Sequence, residues 1–93
     1  MTVAETIRTK LEAAFAPQTL DVRDESEGHR GHGGWREGGE THFRVTIVSS
    51  RFEGLTRIER HRRVHEALDA ELAGRVHALA LTLLTPDEAS RRM

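Results

Sequence analysis

Histidine is the residue type best placed to do chemistry in this chain, because six of the 93 residues are histidine and none is cysteine. Imidazole nitrogens bind transition metals and exchange protons near neutral pH. Without cysteine the chain cannot form a disulfide, use a cysteine nucleophile or hold an iron–sulfur cluster on thiolates of its own. Soft-metal chemistry would therefore require histidine, or thiolates that another molecule supplies. The six are His29, His32, His42, His61, His65 and His77.

His29 and His32 lie three residues apart in the segment 25–39, which holds six of the eight glycines. This spacing alone is a weak metal signal, because a zinc site normally takes four protein ligands, or three and a water. The glycines would allow a histidine of the loop to close on a metal. The alternative is that both are solvated loop side chains. Trp35, in the same segment, either folds back onto the body or is an exposed anchor for a partner.

The other four histidines fall in predicted regular structure. His77 opens an apolar strand, where it is either a metal ligand on a rigid backbone or a ring packed at the sheet end. His42 alternates away from Phe43 in another strand and is expected to be structural. His61 and His65 lie on the inward stripe of a predicted helix and are expected to be core or boundary residues. The alternative is that one of these two supports His77 from the helix.

Four arginines in that helix form the main basic cluster. They are either a solvated face paired with neighbouring acids or a stripe that contacts phosphates. The net charge of −1 and the pI near 6.6 argue against nucleic-acid binding by bulk charge. A KH domain clamps nucleic acid with a Gly-x-x-Gly loop, whereas Gly31-His32-Gly33-Gly34 lies between predicted strands. The arginines are Arg57, Arg60, Arg62 and Arg63.

The pattern of nucleophiles and acids does not favour an enzyme. Asp24 and Glu25 are adjacent in sequence and are not paired across a cleft. Ser26 precedes His29 by three residues, but neither an orienting acid nor a nucleophile elbow surrounds it. No glycine loop enters a helix in the manner of a phosphate-binding site. We therefore expect a protein without catalytic activity of its own.

Three Thr-x-x-Glu sequences predict the starts of three helices, because this pattern forms a capping box at a helix N-terminus. The first helix is predicted over 3–15, the second over 57–73, and a short third one after Thr85, with Pro86 at its first position. For the second helix the predicted inward stripe is Ile58, His61, His65, Leu68 and Leu72.

Three strands are predicted at 19–24, 41–49 and 76–84. Phe43, Val45 and Ile47 share one face of the second strand. Both faces of the third are apolar, which predicts a central or well-covered position. The helical crossover between the last two strands favours a parallel or mixed pairing. The order α-β-β-α-β-α thus predicts one compact α/β (α+β) domain over residues 1–93, with helices packed on a three-stranded sheet.

Composition places this domain among soluble globular proteins, with 37% hydrophobic and 31% charged residues. No apolar run approaches the roughly 20 residues that span a bilayer. The first residues do not combine a basic segment with an apolar one, as a secretory signal would. The expected compartment is therefore the cytoplasm, with no association with a membrane.

Five short stretches, in this order, resemble the BolA family, and the match covers nearly the whole chain. Each stretch is weak alone, but together and on the expected elements they are specific. They are Asp24-Glu25-Ser26, Glu40-Thr41-His42-Phe43-Arg44-Val45, Val48-Ser49-Ser50-Arg51-Phe52-Glu53-Gly54, Arg60-His61-Arg62 and Val76-His77-Ala78-Leu79.

This resemblance implies a fold similar to the class II KH domain and a partnership with monothiol glutaredoxins. In that pairing a [2Fe–2S] cluster is bridged between the two proteins. The glutaredoxin gives a cysteine, glutathione gives a second thiolate, and the BolA partner gives histidine. The roles implied are cluster assembly, cluster transfer and iron regulation. Some bacterial members are described as transcriptional regulators, which makes DNA binding through the arginine cluster the alternative function.

Carried onto this sequence, the family's C-terminal cluster ligand corresponds to His77, in Val76-His77-Ala78-Leu79. The loop ligand corresponds to His29, with His32 as a competitor in the same loop. The isolated chain is expected to be a monomer or weak dimer that holds no permanently bound cofactor.

Overall fold

The structure is a computed structural model that describes residues 2–25, 42–74 and 76–92. All three predicted capping boxes form, at Thr2, Thr56 and Thr85. The predicted second helix is divided in two by a turn at Leu68, whose φ of −107° and ψ of 21° depart from helical values. The elements are α1 Val3–Phe15, β1 Thr19–Asp24, β2 His42–Val48, a 3₁₀ turn Ser50–Phe52, α2 Arg57–Ala67, α3 Asp69–Ala73, β3 Ala78–Leu84 and α4 Pro86–Arg91.

The strands form one mixed sheet in the order β1-β2-β3, with β2 antiparallel to β1 and parallel to β3. The parallel pairing expected from the helical crossover is therefore confirmed. The expectation that β3 is central or well covered is wrong, because β3 lies at an edge and part of one of its faces is exposed. Leu79, Leu81 and Leu83 face the core, whereas the opposite face presents Ala78 and Ala80, which are exposed. Small side chains such as these expose little apolar area and do not require a cover.

The core lies between the helices and one face of the sheet. The predicted face of β2 is confirmed, since Phe43, Val45 and Ile47 are all buried. Burying each side chain of this size stabilises the fold by roughly 2 kcal/mol. The remaining buried members of the core cluster are Ile7, Leu11, Phe15, Phe52, Val64, Leu68, Val76 and Leu83.

The predicted inward stripe is confirmed at Leu68, which is buried, and at Leu72, which packs against the core, but it is wrong within α2 itself. Ile58 is 72% exposed and His65 is exposed. The row that faces the core is Arg60, Val64 and Leu68, spaced by four residues. A charged residue can occupy this row because the guanidinium of Arg60 donates to the backbone oxygens of Leu55 and Leu83, at 3.2 and 3.1 Å.

The segment after β2 ties the sheet to the end of α1. The buried hydroxyl of Ser49 donates to the carbonyl of Phe15 at 2.6 Å and accepts from the amide of Arg51 at 3.1 Å. The Arg51 guanidinium donates to the carbonyl of Ala14 at 2.7 Å. Carbonyls in the last turn of a helix lack partners within the helix, so these bonds complete the end of α1. Gly54, with φ of +80°, turns the chain toward α2.

Candidate functional site

His77 lies directly before β3 and its side chain is exposed. Val76, the preceding residue, is buried and holds the backbone against the core. The pairing of β3 with β2 fixes the other side of this position, since His42 lies opposite Ala78 in the parallel register. His77 is therefore an accessible imidazole on a backbone that the sheet immobilises.

The ring of His77 neighbours the ring of His42, with centroids 5.4 Å apart and planes tilted by 52°. His42 opens β2 and is only 5% exposed. The contact is a direct result of the parallel pairing, which starts both strands at the same end of the sheet. Sequence reasoning assigned His42 a structural role and missed this contact. The signal that could have found it was the parallel pairing expected for the last two strands, which aligns His42, at the start of β2, with the residue after His77.

A depression of about 240 Å³ lies beside these rings, lined in part by Glu25, His42 and Ala78. The backbone N–H of Glu25 donates to the carbonyl of His42 at 2.8 Å. The Glu25 carboxylate accepts from Nε of Arg44 at 3.2 Å. These bonds join the end of β1 to the start of β2, next to His77. The segment with the predicted loop ligands is therefore flanked by Glu25 and His42, and His42 neighbours the exposed imidazole of His77.

His29, His32 and Trp35 lie outside the described residues, as do Gly31-His32-Gly33-Gly34 and Ser26. Across residues 2–25, 42–74 and 76–92, no group of three or more His, Cys, Asp or Glu side chains could hold a metal ion. Imidazole nitrogen can ligate iron at a cluster corner, as it does in Rieske centres. The described part of the site thus offers the accessible imidazole of His77 and the buried imidazole of His42. These two side chains do not make a complete set of metal ligands.

The alternative that His61 or His65 supports His77 is not observed. His61 faces the other half of β3, in a depression shared with Leu81 and Leu84. Its Nδ1 lies 2.9 Å from the carbonyl of Arg57, so that nitrogen carries the proton of the bond. His65 is exposed on the same helix. The neighbour of the His77 ring is His42, from the sheet.

Arg60 differs from the other arginines of the cluster, because its side chain is only 11% exposed. It pairs with the Glu88 carboxylate at 2.6 Å and lies over the ring of Phe52, 5.9 Å from the centroid. The bond from Arg60, followed by that from the backbone N–H of Thr85, lowers the pKa of Glu88 to about 2. The guanidinium of Arg60 is thus engaged within the fold.

Arg57, Arg62 and Arg63 are exposed on α2. None of the three forms a salt bridge within the part of the chain that the structure describes. The pKa of Glu59 is lowered mainly by hydrogen bonds to Thr56, and secondarily by the nearby charges of Arg63 and Arg62. The solvated face expected for the cluster therefore comprises three arginines, and the ion pairs expected with neighbouring acids do not form among the described residues. Arg60 is turned inward.

Similarity to known proteins indicates the family of the chain. The family model described as BolA-like protein matches residues 11–88. The chain belongs to the BolA family. BolA-like protein 1 of Mus musculus is 56% identical over 84 residues, which cover 90% of this chain and 58% of that protein. The chain therefore spans somewhat less than three fifths of this relative.

Two further relatives are a BolA domain of known structure and a protein named as a transcriptional regulator. The structure of the BolA domain of SufE1 from Arabidopsis thaliana superposes with a TM-score of 0.85 at 40% identity, covering 95% of this chain and 96% of that one. The DNA-binding transcriptional regulator BolA of Haemophilus influenzae is 36% identical over 88 residues, 95% of this chain and 82% of that protein. The predicted mixed α/β class with a three-stranded sheet is confirmed. Among the described residues, no helix has the length and apolar character needed to cross a bilayer.

Proposed function

We propose that this BolA-family chain is a non-enzymatic partner of a monothiol glutaredoxin, and that His77 gives its imidazole to a [2Fe–2S] cluster shared between the two proteins. The thiolates of the cluster would come from the glutaredoxin and from glutathione, since the chain has no cysteine. The observation that carries the proposal is that His77 is exposed and lies directly before β3, whose pairing with β2 begins at the next residue. The role would be cluster assembly, cluster transfer or iron regulation in the cytoplasm.

The donor type suits such a cluster. Replacing a thiolate by neutral imidazole removes one negative charge from the cluster, and His-ligated [2Fe–2S] centres have higher potentials than all-cysteine ones. A ligand whose backbone is held by an adjoining strand also loses little conformational entropy when it binds. His77 combines both properties, because its side chain is exposed while its backbone neighbours are held by the sheet.

A second histidine from the loop would complete this chain's share of the site. His29 is the favoured ligand and His32 its competitor, both in the segment between β1 and β2. The ends of that segment are joined beside His77 by the bond from Glu25 to His42. A loop anchored in this way can bring a side chain to a cluster on the exposed face of His77 without any change in the sheet.

The test is to mix the chain with a monothiol glutaredoxin that carries its cluster and glutathione. We expect a stable pair with new absorption and electron paramagnetic resonance spectra, because His77 and one loop histidine replace thiolate ligands of the cluster. Iron and labile sulfide should be present at about two of each per pair, as a [2Fe–2S] cluster requires. Spectra and stoichiometry identical to those of the glutaredoxin alone would show the proposal to be wrong.

A second candidate function, DNA binding, is favoured by the exposed arginines Arg57, Arg62 and Arg63 and by the name of the Haemophilus influenzae relative. Exposed guanidinium groups on one helix can bind phosphates, which makes affinity fall with salt. In a salt titration with duplex DNA, replacing Arg62 and Arg63 by glutamine should lower the slope of log affinity against log salt. The decrease should be about 0.9 for each phosphate that the variant no longer neutralises.

The matched control for this titration is Arg8→Gln, which removes an exposed arginine from α1. Arg60→Gln is unsuitable as a test of DNA binding, because its guanidinium belongs to the fold. Equal slopes for the Arg62/Arg63 variant and the Arg8 variant, or no binding at low salt, would exclude the helix-based DNA interface.

A further inference from the structure

The outer edge of β3 lacks the charges and proline that usually protect a sheet edge, and among the described residues only the Arg60 guanidinium bonds to it, at the carbonyl of Leu83. Its sequence, Ala-Leu-Ala-Leu-Thr-Leu-Leu, contains neither charge nor proline, whereas the other edge strand, β1, carries Asp21, Arg23 and Asp24. Natural proteins blunt sheet edges with charges, proline, bulges or a covering element, because an open edge invites another strand. In the described residues β3 pairs with β2 alone. An uncharged edge of this length is therefore a surface that a strand of another molecule can join.

The backbone of β3 shows which groups face outward. The carbonyl of Leu84 accepts from Ser49, beside β2, whereas the carbonyl of Leu83 accepts from Arg60 on the far side. Alternate residues of a strand direct their backbone groups to opposite sides in a parallel ladder. Leu81 therefore presents its N–H and C=O away from β2. No backbone group of the described residues bonds to either of them outside the β2 ladder.

The edge is flanked by positive charge. Arg57, His61 and Arg92 line the depression of about 240 Å³ that also contains Leu81 to Leu84. Arg57 and Arg92 are exposed and form no salt bridge in the described part of the chain. Glu88, the acid at the neighbouring depression, is already paired with Arg60. A strand placed here would meet two unpaired guanidinium groups and an imidazole.

An exposed apolar side chain lies on the same flank. Ile58, 72% exposed, is the one large hydrophobic residue of the described chain with high exposure. It precedes His61 by three residues on α2, a spacing that places both on one side of the helix. His61, from the predicted core stripe, thus lines the depression at the edge of β3, and the exposed Ile58 lies one turn before it on α2.

We propose that the outer edge of β3 takes up an extended acidic segment of another protein as a fourth strand. Main-chain bonds to Leu81 would give affinity, and the pairing of its acidic side chains with Arg57 and Arg92 would give specificity. A protein segment is favoured over nucleic acid because the outward backbone groups of β3 recur every second residue, a spacing that another extended strand matches along its whole length. This surface goes beyond the cluster proposal, since Leu81 is roughly 13 Å along the strand from His77.

The experiment uses the full chain and an acetylated synthetic peptide of about eight residues in which valine and glutamate alternate. Nuclear magnetic resonance should show slower hydrogen exchange at the amide of Leu81 and shifts along β3. The same peptide with lysine in place of glutamate, and the acidic peptide N-methylated at alternate residues, should bind much more weakly. The first control removes the charge match and the second removes the main-chain bonds.

Two variants test which groups of the chain bind the acidic peptide. Replacing Arg57 and Arg92 by glutamine should weaken binding of the acidic peptide at least about threefold at low salt, since exposed charge pairs are individually modest. Leu81→Pro removes the outward N–H and spares the ladder with β2, a position where an edge strand tolerates proline. It should also weaken binding. His77→Ala should bind the peptide normally, which separates this proposal from the cluster proposal.

The proposal is overturned by equal binding of the acidic and basic peptides, or by unchanged exchange at Leu81 under saturating peptide. It is equally overturned if the free chain protects this amide by pairing with a second copy of itself. Binding of an oligonucleotide at this edge in preference to the acidic peptide would assign the groove to nucleic acid instead.

Discussion

The rings of His42 and His77 are neighbours at 5.4 Å, yet one is 5% exposed and the other lies open to solvent. The parallel pairing of β2 and β3 produces this contact from residues 35 positions apart. The buried ring limits the space that the exposed ring can occupy. A partner would therefore meet an imidazole whose approach is restricted on the side of the sheet.

The first prediction concerns these two histidines. His77→Ala should abolish the new spectrum of the mixed cluster, because it removes the ligand itself. His42→Gln should retain a mixed cluster with at most a shifted spectrum, because it changes only the neighbour. Absorption and electron paramagnetic resonance of each variant with the glutaredoxin are the measurements, and thermal unfolding checks that both variants fold. Equal loss in the two folded variants would contradict the assignment of His77.

The second prediction distinguishes the two loop histidines. We expect His29→Ala to change the mixed-cluster spectrum and His32→Ala to leave it nearly unchanged. The reason is that one cluster takes a single loop ligand from this chain in the arrangement proposed. The two variants are matched controls for each other, since they lie in the same segment. The reverse result would assign the role to His32, and no effect from either would exclude a loop ligand.

The third prediction concerns acid stability and Glu88. Its pKa is lowered from the ordinary 4.5 to about 2, chiefly by Arg60, so the folded state binds its proton less readily than the unfolded state. Such a group stabilises the fold fully above about pH 4.5, and its contribution is lost as the pH falls toward 2. Glu88→Gln keeps the capping bond but removes the charge. It should be less stable than the natural chain at pH 7 and equal to it near pH 2.

Urea unfolding at a series of pH values measures this difference. The control is Glu66→Gln, which removes an exposed carboxylate that forms no salt bridge in the described residues. A pH-independent difference for the Glu88 variant would show that the ion pair with Arg60 does not contribute as proposed.

The fourth prediction concerns the connection after β2. Ser49→Ala should destabilise the fold by about 1–3 kcal/mol, because it leaves the buried carbonyl of Phe15 without its donor. Ser50→Ala, at the next and exposed position, should change stability by less than about 0.5 kcal/mol. Denaturant midpoints of the two variants test this. A similar small effect for both would mean that water replaces the hydroxyl of Ser49.

Helix starts and strand faces could be read from the sequence because each depends on nearby residues. The capping boxes at Thr2, Thr56 and Thr85 use side chains three residues apart, and Phe43 alternates with its neighbours along one strand. These features are local, and the structure confirms them.

The orientation of α2 and the edge position of β3 could not be read in the same way. Arg60 faces inward because its partners, the Leu83 carbonyl and Glu88, come from 23 and 28 residues further along the chain. The contact between His42 and His77 likewise depends on strand register. The cluster ligands and the partner stay predictions, because the resemblance to the family implies them and the described residues hold only one of the three histidines.

The hydrogen bond from Glu25 to His42 has an implication for how this protein can diversify. It joins the two residues that flank the connection 26–41, so the positions where this connection starts and ends are held together by the sheet. Lengthening a closed loop costs little, about 0.6 kcal/mol for each doubling. Evolution or an engineer could therefore exchange the whole insert, altering reach and donor atoms, while the scaffold and His77 keep their geometry.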